Sequence, residues 1–293
     1  MRSTTRLRQL LQDPGIIVAP GSYDCLTAKI IEREGFPAVY MTGAGTSAAK
    51  CGYPDLGLLT MTEMVANAAN IVRSVDVPVI ADGETGYGGV LNIARTVREY
   101  ERAGVAAIHI EDQKHPNRIG FMENKEVIPI EQIPRNIHAA LDARTDEDFA
   151  IIGRSDALSV TGWDDTLKRC ETIVKAGADV LFVEAIETRE QIEQLSREFD
   201  LPLMHNFVES PKAPLVPVAD LEQLGYKIVI FSCTALLSVT KAFSHAMREL
   251  KEKGTTTHLM DSMADLDEAC DIVGLSEMVE QEKQYLSGES NRH

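Results

Sequence analysis

The chain has 293 residues, 44% hydrophobic and 25% charged, an ordinary globular composition with enough length to bury a sizeable core. Its formal net charge of −16, without a basic cluster, argues against broad binding to nucleic acid or to anionic membranes, because either polyanion would be repelled. No run of about 18 apolar residues is present to cross a bilayer, and Cys25, Cys51, Cys170, Cys233 and Cys270 are scattered without a CxxC pair or zinc-like spacing. A cytoplasmic protein with reduced thiols is expected.

The N-terminal stretch MRSTTRLRQLLQDPG lacks the apolar run of a secretory signal. It is rich in arginine and has no acid before Asp13, so it reads either as a transit-peptide-like segment or as a short amphipathic helix leading into the first strand. Short β-branched, apolar runs then follow at regular intervals: 16–21, 38–43, 77–83, 106–112, 150–156, 180–185, 202–207 and 227–232. Four of them are announced by a glycine that closes the preceding helix, Gly35, Gly104, Gly177 and Gly225. Between the runs, stretches such as 61–73, 91–101, 165–175 and 189–198 carry apolar residues at helical spacing. Eight strand-and-helix repeats, with strands apolar enough to be covered on both faces, predict a (β/α)8 barrel spanning residues 1–249. An open doubly wound sheet is the alternative. From 250 to 293 a Gly-Thr turn and renewed helical periodicity predict an extension beyond the barrel, packed on it or on a neighbouring subunit.

In such a barrel the active site lies at the C-terminal ends of the strands, so a charged residue that ends an apolar run is a functional candidate. Strand three reads VPVIADGETGYGG, and the two-residue strand period sends Asp82 and Glu84 to the same side. Strand four, AAIHIED, delivers Glu111 beside them. Three carboxylates at adjacent strand ends repel one another unless a cation or protons intervene. An all-oxygen set suits Mg²⁺ or Mn²⁺ better than zinc; the plainer reading is acids that cap helices or pair with lysines.

Strand five ends in GRSDA, and Arg154 can grip a substrate carboxylate with two hydrogen bonds or pair with Glu111 or Glu184. After strand two, Thr42, Gly43 and Ala44 either present backbone amides to an anion or form a simple turn. Glu184, His205 and Asn206, at the ends of strands six and seven, are pocket candidates or buried, satisfied polar residues.

Taken in order, APGSYDCLTAKI, YMTGAGTSAAKCGYPDLGLLT, PVIADGETGYGG, HIEDQKHP, GRSDA, HNFVESPKAPL and the C-terminal GTT segment make the chain resemble the isocitrate lyase and phosphoenolpyruvate mutase superfamily. Short methylisocitrate lyase-like and carboxyphosphonoenolpyruvate mutase-like members are the most similar. The resemblance implies a (β/α)8 barrel with a Mg²⁺ ion held largely through water and chelated by a 2-oxo or 2-hydroxy acid. Carried over by position, Asp82 is the direct metal ligand, with Asp55, Glu84 and Glu111 around it. Thr42, Gly43, Ala44 and Arg154 hold the substrate carboxylate, and Glu184 and Asn206 line the pocket. Exchange of a C-terminal helix between paired subunits, in a homotetramer built as a dimer of dimers, is implied as well.

Two positions depart from that pattern. Strand three of the family reads Asp-Ala-Asp-Thr-Gly-Tyr-Gly, whereas Glu84 stands here at the second acid, one methylene longer. The loop after strand four carries Lys-Arg-Cys-Gly-His in the lyases, with the cysteine as proton donor; here the residues are Asn117, Arg118, Ile119, Gly120 and Phe121. Nor does the loop have the lysine and asparagine of the mutases. The proton must then come from His115, Tyr40, His205 or water. The expected activity is metal-assisted cleavage or decarboxylation of a malate-like or oxaloacetate-like diacid through a stabilised enolate. Two alternatives stay open, phosphorus–carbon bond chemistry on a phosphonate, and a barrel that binds an oxo acid without turnover.

Overall fold

The structure, a computed structural model, describes residues 1–287. The chain forms two compact units, Met1–Ala235 and Leu236–His293. In the first, eight strands, β1 (Ile17–Ser22), β2 (Val39–Met41), β3 (Val79–Asp82), β4 (Ala107–Glu111), β5 (Ala150–Ser155), β6 (Val180–Val183), β7 (Leu203–Asn206) and β8 (Ile228–Phe231), pair in chain order. All pairs are parallel, and β8 returns to β1 to close the barrel. Closure excludes the open sheet, and each strand lies within its expected run except β1, which extends one residue past it to Ser22.

The helices begin with α1 (Ser3–Gln12), α2 (Cys25–Arg33), α3 (Gly43–Cys51), α4 (Met61–Ser74), α5 (Val90–Arg102) and α6 (Ile133–Ala143). The short α7 (Leu158–Thr161), then α8 (Trp163–Lys175), α9 (Arg189–Glu198) and α10 (Val218–Gln223) complete the ring. Local chemistry sets their starts. Thr60 with Glu63, and Thr188 with Gln191, close reciprocal capping boxes on α4 and α9. The four glycines read as helix stops all sit at positive φ, between +83° and +92°.

Side chains that alternate along the strands fill two layers. Ile17, Tyr40, Ile80, Ile152, Phe182 and Met204 point into the barrel, whereas Val39, Val79, Ile108, Leu181 and Leu203 point out against the helices. Leu7 of α1 joins the inner cluster with no exposure, and Arg8 pairs with Asp179 at 2.8 Å. Residues 3–12 thus form the amphipathic helix, seated among the interior side chains of the barrel.

The second unit contains most of α11 (Thr234–Lys253), which ends at Gly254 with φ +67°, followed by α12 (Leu266–Ile272) and α13 (Leu275–Ser287). No helix among the described residues is long and apolar enough to cross a membrane.

Candidate active site

The strand register places the acids. Asp82 lies opposite His109, and Glu111 lies opposite Arg154, so neighbouring strands deliver their polar residues at one end of the barrel. Asp82 Oδ1 accepts the Glu84 N–H at 2.9 Å, and Oδ2 accepts the Gly43 N–H at 3.2 Å. Gly43 is the first residue of α3, so that helix starts against the acids with its positive end toward them. Glu84 adopts φ +53°, in the left-handed region that costs a non-glycine residue about 1–2 kcal/mol. Its N–H bond to Asp82 and its carbonyl, which accepts the Glu111 N–H at 3.0 Å, hold it there.

Arg154 is almost fully buried and divides its fork among three acids. Nε and Nη2 bind the two oxygens of Asp156 at 2.7 and 3.1 Å, Nη1 reaches Glu111 at 3.3 Å, and Nη2 stands 3.9 Å from Glu184. Its planar face covers the Phe182 ring at 5.3 Å. Glu184 accepts from Asn206 Nδ2 at both oxygens, 3.3 and 3.2 Å.

Negative charge exceeds positive charge in this space. Burial, then the charge of Asp82, pushes the Asp55 carboxyl up to about 7. Burial first, then Asp82 and Asp55, raises Glu84 well above the usual carboxylate range. Burial also raises Glu111, against the opposing pull of Arg154. These carboxylates need a cation or protons among them.

Observations of the site itself fit a hard divalent ion. Glu111 Oε1 is buried without a protein partner. A Cβ built on Gly43 would lie 2.5 Å from Asp82 Oδ2 and 2.9 Å from Glu84 Oε1, so only glycine leaves the space between those oxygens and the helix end. Among the described residues no three His, Cys, Asp or Glu side chains converge as a closed ligand set.

The loop after β4 is folded down over the acids. Gln113 and Val127 form an antiparallel bridge at its base, where Lys114 pairs with Glu126. Asn117 Nδ2 donates to Glu84 Oε2. The Ile119 N–H bonds the Asp55 carbonyl at 3.3 Å. Gly120 presses on Glu184 so closely that a Cβ there would meet Oε1 at 2.5 Å. Lys125 reaches inward to the Gly120 carbonyl at 2.5 Å and to Asp156 at 3.0 Å.

Of the residues singled out from the sequence, Asp82, Glu84, Glu111, Asp55, Arg154, Glu184, Asn206 and the Thr42–Gly43–Ala44 turn come together here. Thr42 caps α3 through its side chain. Tyr40 lies one layer deeper, its hydroxyl 2.8 Å from His109 Nε2, and that nitrogen is 3.6 Å from Asp82. Burial pushes the Tyr40 hydroxyl far up and holds the His109 imidazole down, to about 4. His205 does not join the site: its ring turns outward, edge-on to Tyr226 with centroids 5.9 Å apart. His115 is exposed on the outer face of the loop, in a cleft of about 300 Å³ with Thr60, Tyr87 and Arg95.

His109, Asn117, Lys125 and Asp156 are additions that sequence reasoning did not assign to the site. Asp156 was within reach, since the two-residue period that pairs Asp82 with Glu84 also pairs Arg154 with Asp156. Lys125 carries no such signal, because only the closed loop brings it to the barrel.

The chain matches the phosphoenolpyruvate phosphomutase family over residues 7–251. It is 43% identical over 288 residues to the 2,3-dimethylmalate lyase of Eubacterium barkeri, covering 98% of this chain and 100% of that one. It is 40% identical over 268 residues to the 2-methylisocitrate lyase of Aeropyrum pernix, covering 92% and 86% of the two chains. Among solved structures, oxaloacetate acetylhydrolase in complex with the inhibitor 3,3-difluorooxalacetate superposes with a TM-score of 0.92 at 34% identity, over 98% of this chain and 97% of that one. The chain belongs to the phosphoenolpyruvate phosphomutase family and is a carbon–carbon bond lyase of the phosphoenolpyruvate mutase and isocitrate lyase superfamily.

Proposed function

We propose that the protein breaks a carbon–carbon bond in a small 2-oxo or 2-hydroxy dicarboxylate, with loss of carbon dioxide from a four-carbon 2-oxo diacid as the favoured reaction. One observation carries the choice of reaction. The closed loop, whose Ile119 N–H bonds the Asp55 carbonyl, has an alkyl residue where the lyases that the chain resembles carry an acid, next to carboxylates and an arginine suited to an oxo acid.

Asp82, with Asp55, Glu84 and Glu111 around it, would hold a Mg²⁺ ion. When bound, such an ion supplies Lewis-acid polarisation of the substrate C2 oxygen and offsets the charge of the acids. Arg154 binds the substrate carboxylate through its fork. The Ala44 N–H, in the first turn of α3 where no helical carbonyl reaches it, adds a second donor. The C3–C4 electron pair shifts toward C2 as carbon dioxide departs, and C3 takes its proton from water when the loop opens. Ile119 and Gly120 keep water away while the bond breaks. Retro-aldol cleavage asks more, because the departing carbanion must be protonated before it separates, and His115 faces outward while Tyr40 lies buried against His109.

Retro-aldol cleavage of a substituted malate is the second reading, supported by the likeness to 2,3-dimethylmalate lyase. The phosphonate and non-catalytic alternatives are not favoured beside relatives named as carbon–carbon lyases. Association into a homotetramer is supported by α13, whose Met278, Tyr285 and Leu286 are exposed. Incubation with Mg²⁺ and, separately, oxaloacetate, 2,3-dimethylmalate and 2-methylisocitrate, with pyruvate and carbon dioxide measured, tests the proposal. Pyruvate with carbon dioxide from oxaloacetate supports it; turnover of none of the three refutes it.

A further inference from the structure

Lys125 is buried at the far end of the loop, its side chain 1% exposed, and touches two points that belong to different parts of the site. One is the Gly120 carbonyl, at the loop turn pressed against Glu184. The other is Asp156 Oδ1, the oxygen that also accepts from Arg154 Nη2. Asp156 has no exposure and is further fixed by its own N–H, which bonds Asp112 at 2.8 Å. Asp112 in turn accepts from Ser155 and pairs with Arg169. The backbone that carries this carboxylate is therefore anchored to the barrel and does not travel with the loop.

Two cations thus share one anion anchored on the barrel, and only one of them rides on the loop. With the loop closed, Lys125 takes part of the Asp156 charge, and Arg154 keeps Nη1 toward Glu111 and Nη2 toward Glu184, on the side where substrate enters. With the loop open, Lys125 withdraws and Asp156 is answered by Arg154 alone. A buried carboxylate that loses one partner holds the other more tightly, which draws the fork away from the substrate side.

We infer that Lys125 is a positioning residue that makes the grip of Arg154 on the substrate carboxylate conditional on loop closure. The inference rests on the reading of Arg154 as the carboxylate anchor. It assigns the loop a second task besides excluding water: closure and tight binding become one event, and an open site releases product.

Lys125→Met keeps the length of the stem and removes the charge. Oxalate, a two-carbon dicarboxylate, serves with Mg²⁺ as the binding probe, followed by calorimetry, while trypsin cleavage after the exposed Arg118 reports the loop. The expected result for K125M is oxalate affinity weaker by on the order of tenfold, the effect of one charged hydrogen bond. A matching rise in KM for the diacid, a smaller change in kcat, and loss of the protection that oxalate gives against trypsin should accompany it. Lys125→Gln keeps a donor of similar reach and carries the test if K125M does not fold; the same shifts are expected in smaller size. Native oxalate affinity with native loop protection in K125Q or in a folded K125M overturns the inference, as does weakened affinity with protection intact. Arg154→Gln separates the two readings. If R154Q binds oxalate as the native protein does, the anchor reading fails; if R154Q loses binding while the Lys125 variants behave as native, only the present inference fails.

Discussion

Asn117 of the loop donates its side-chain amide to Glu84 Oε2, so the longer acid after β3 links the Asp82 end of the site to the loop above it. Asn117 Oδ1 is buried without a protein partner, which leaves that amide held from one side only. The two departures from the family pattern, Glu84 and the altered loop, therefore meet in one contact. Their effects should not add. Glu84→Asp and Asn117→Ala are each expected to weaken oxalate binding, whereas the double variant is no worse than the weaker single one. A coupling energy of about 0.5–3 kcal/mol is expected for groups in direct contact. Calorimetric titration of the four proteins measures it, and additive losses would show that the contact carries no function.

Ile119→Cys places a thiol where the loop has none. A general acid contributes about 10² to 10⁴ in rate where protonation limits the reaction. The variant should gain on 2,3-dimethylmalate or 2-methylisocitrate, which require a protonated leaving carbanion, and gain little on oxaloacetate. Pyruvate release from each substrate, compared between variant and native protein, checks this. Equal gains on all three would mean that Ile119 acts by shape alone.

Arg154→Lys keeps the positive charge but loses the planar fork that answers Asp156, Glu111 and Glu184 together. Loss of one charged hydrogen bond to the substrate carboxylate costs about 1.5–3 kcal/mol, so kcat/KM should fall by roughly ten- to a hundredfold. Steady-state kinetics on the diacid measure the loss. Melting of the variant with and without oxalate separates lost binding from lost fold, and retention of native kcat/KM would remove Arg154 from the mechanism.

Addition of Mg²⁺ should raise the melting temperature, since an ion that binds only the folded chain stabilises it by about 2.7 kcal/mol at a hundredfold excess over its dissociation constant. Asp82→Asn should abolish most of that gain, and calorimetric scans with Mg²⁺ and with EDTA provide the comparison. An equal gain in the variant would place the ion elsewhere.

The barrel was legible because its signals are local and repeat: an apolar run, an amphipathic helix, a glycine stop. The acidic set was legible in part for a related reason, as Asp82, Glu111 and Arg154 lie at the ends of strands whose period fixes the side they face, whereas Glu84 lies beyond β3 in a left-handed turn where that period no longer applies. That same rule speaks against His205 beside Asn206, because neighbours on a strand face opposite ways and Asn206 is the one that meets Glu184. What stayed hidden depends on loop closure. No periodicity tells that residues 114–125 fold inward, so nothing assigned Asn117 or Lys125 to the site, and exposed His115 stood among the candidate donors.

His205 offers a test of that distinction through pH. Burial alone pushes its imidazole down to about 4 from an ordinary value of 6.5, and neither ring nitrogen has a protein partner. The folded protein therefore holds the neutral ring, while the unfolded chain takes up a proton as the pH falls below 6.5. Between 6.5 and 4 the unfolded state binds more protons, so stability declines as the solution is acidified and the loss is complete below the folded value. The full effect is on the order of 3 kcal/mol. His205→Leu removes the titrating group and fills similar space beside Tyr226, so it should flatten this part of the profile. At neutral pH its stability should match or exceed that of the native protein, since two unpaired polar atoms disappear. Urea unfolding at several pH values measures the slope. Activity should be unchanged, because the ring faces the helices; a large loss of kcat in a folded variant would return His205 to the site.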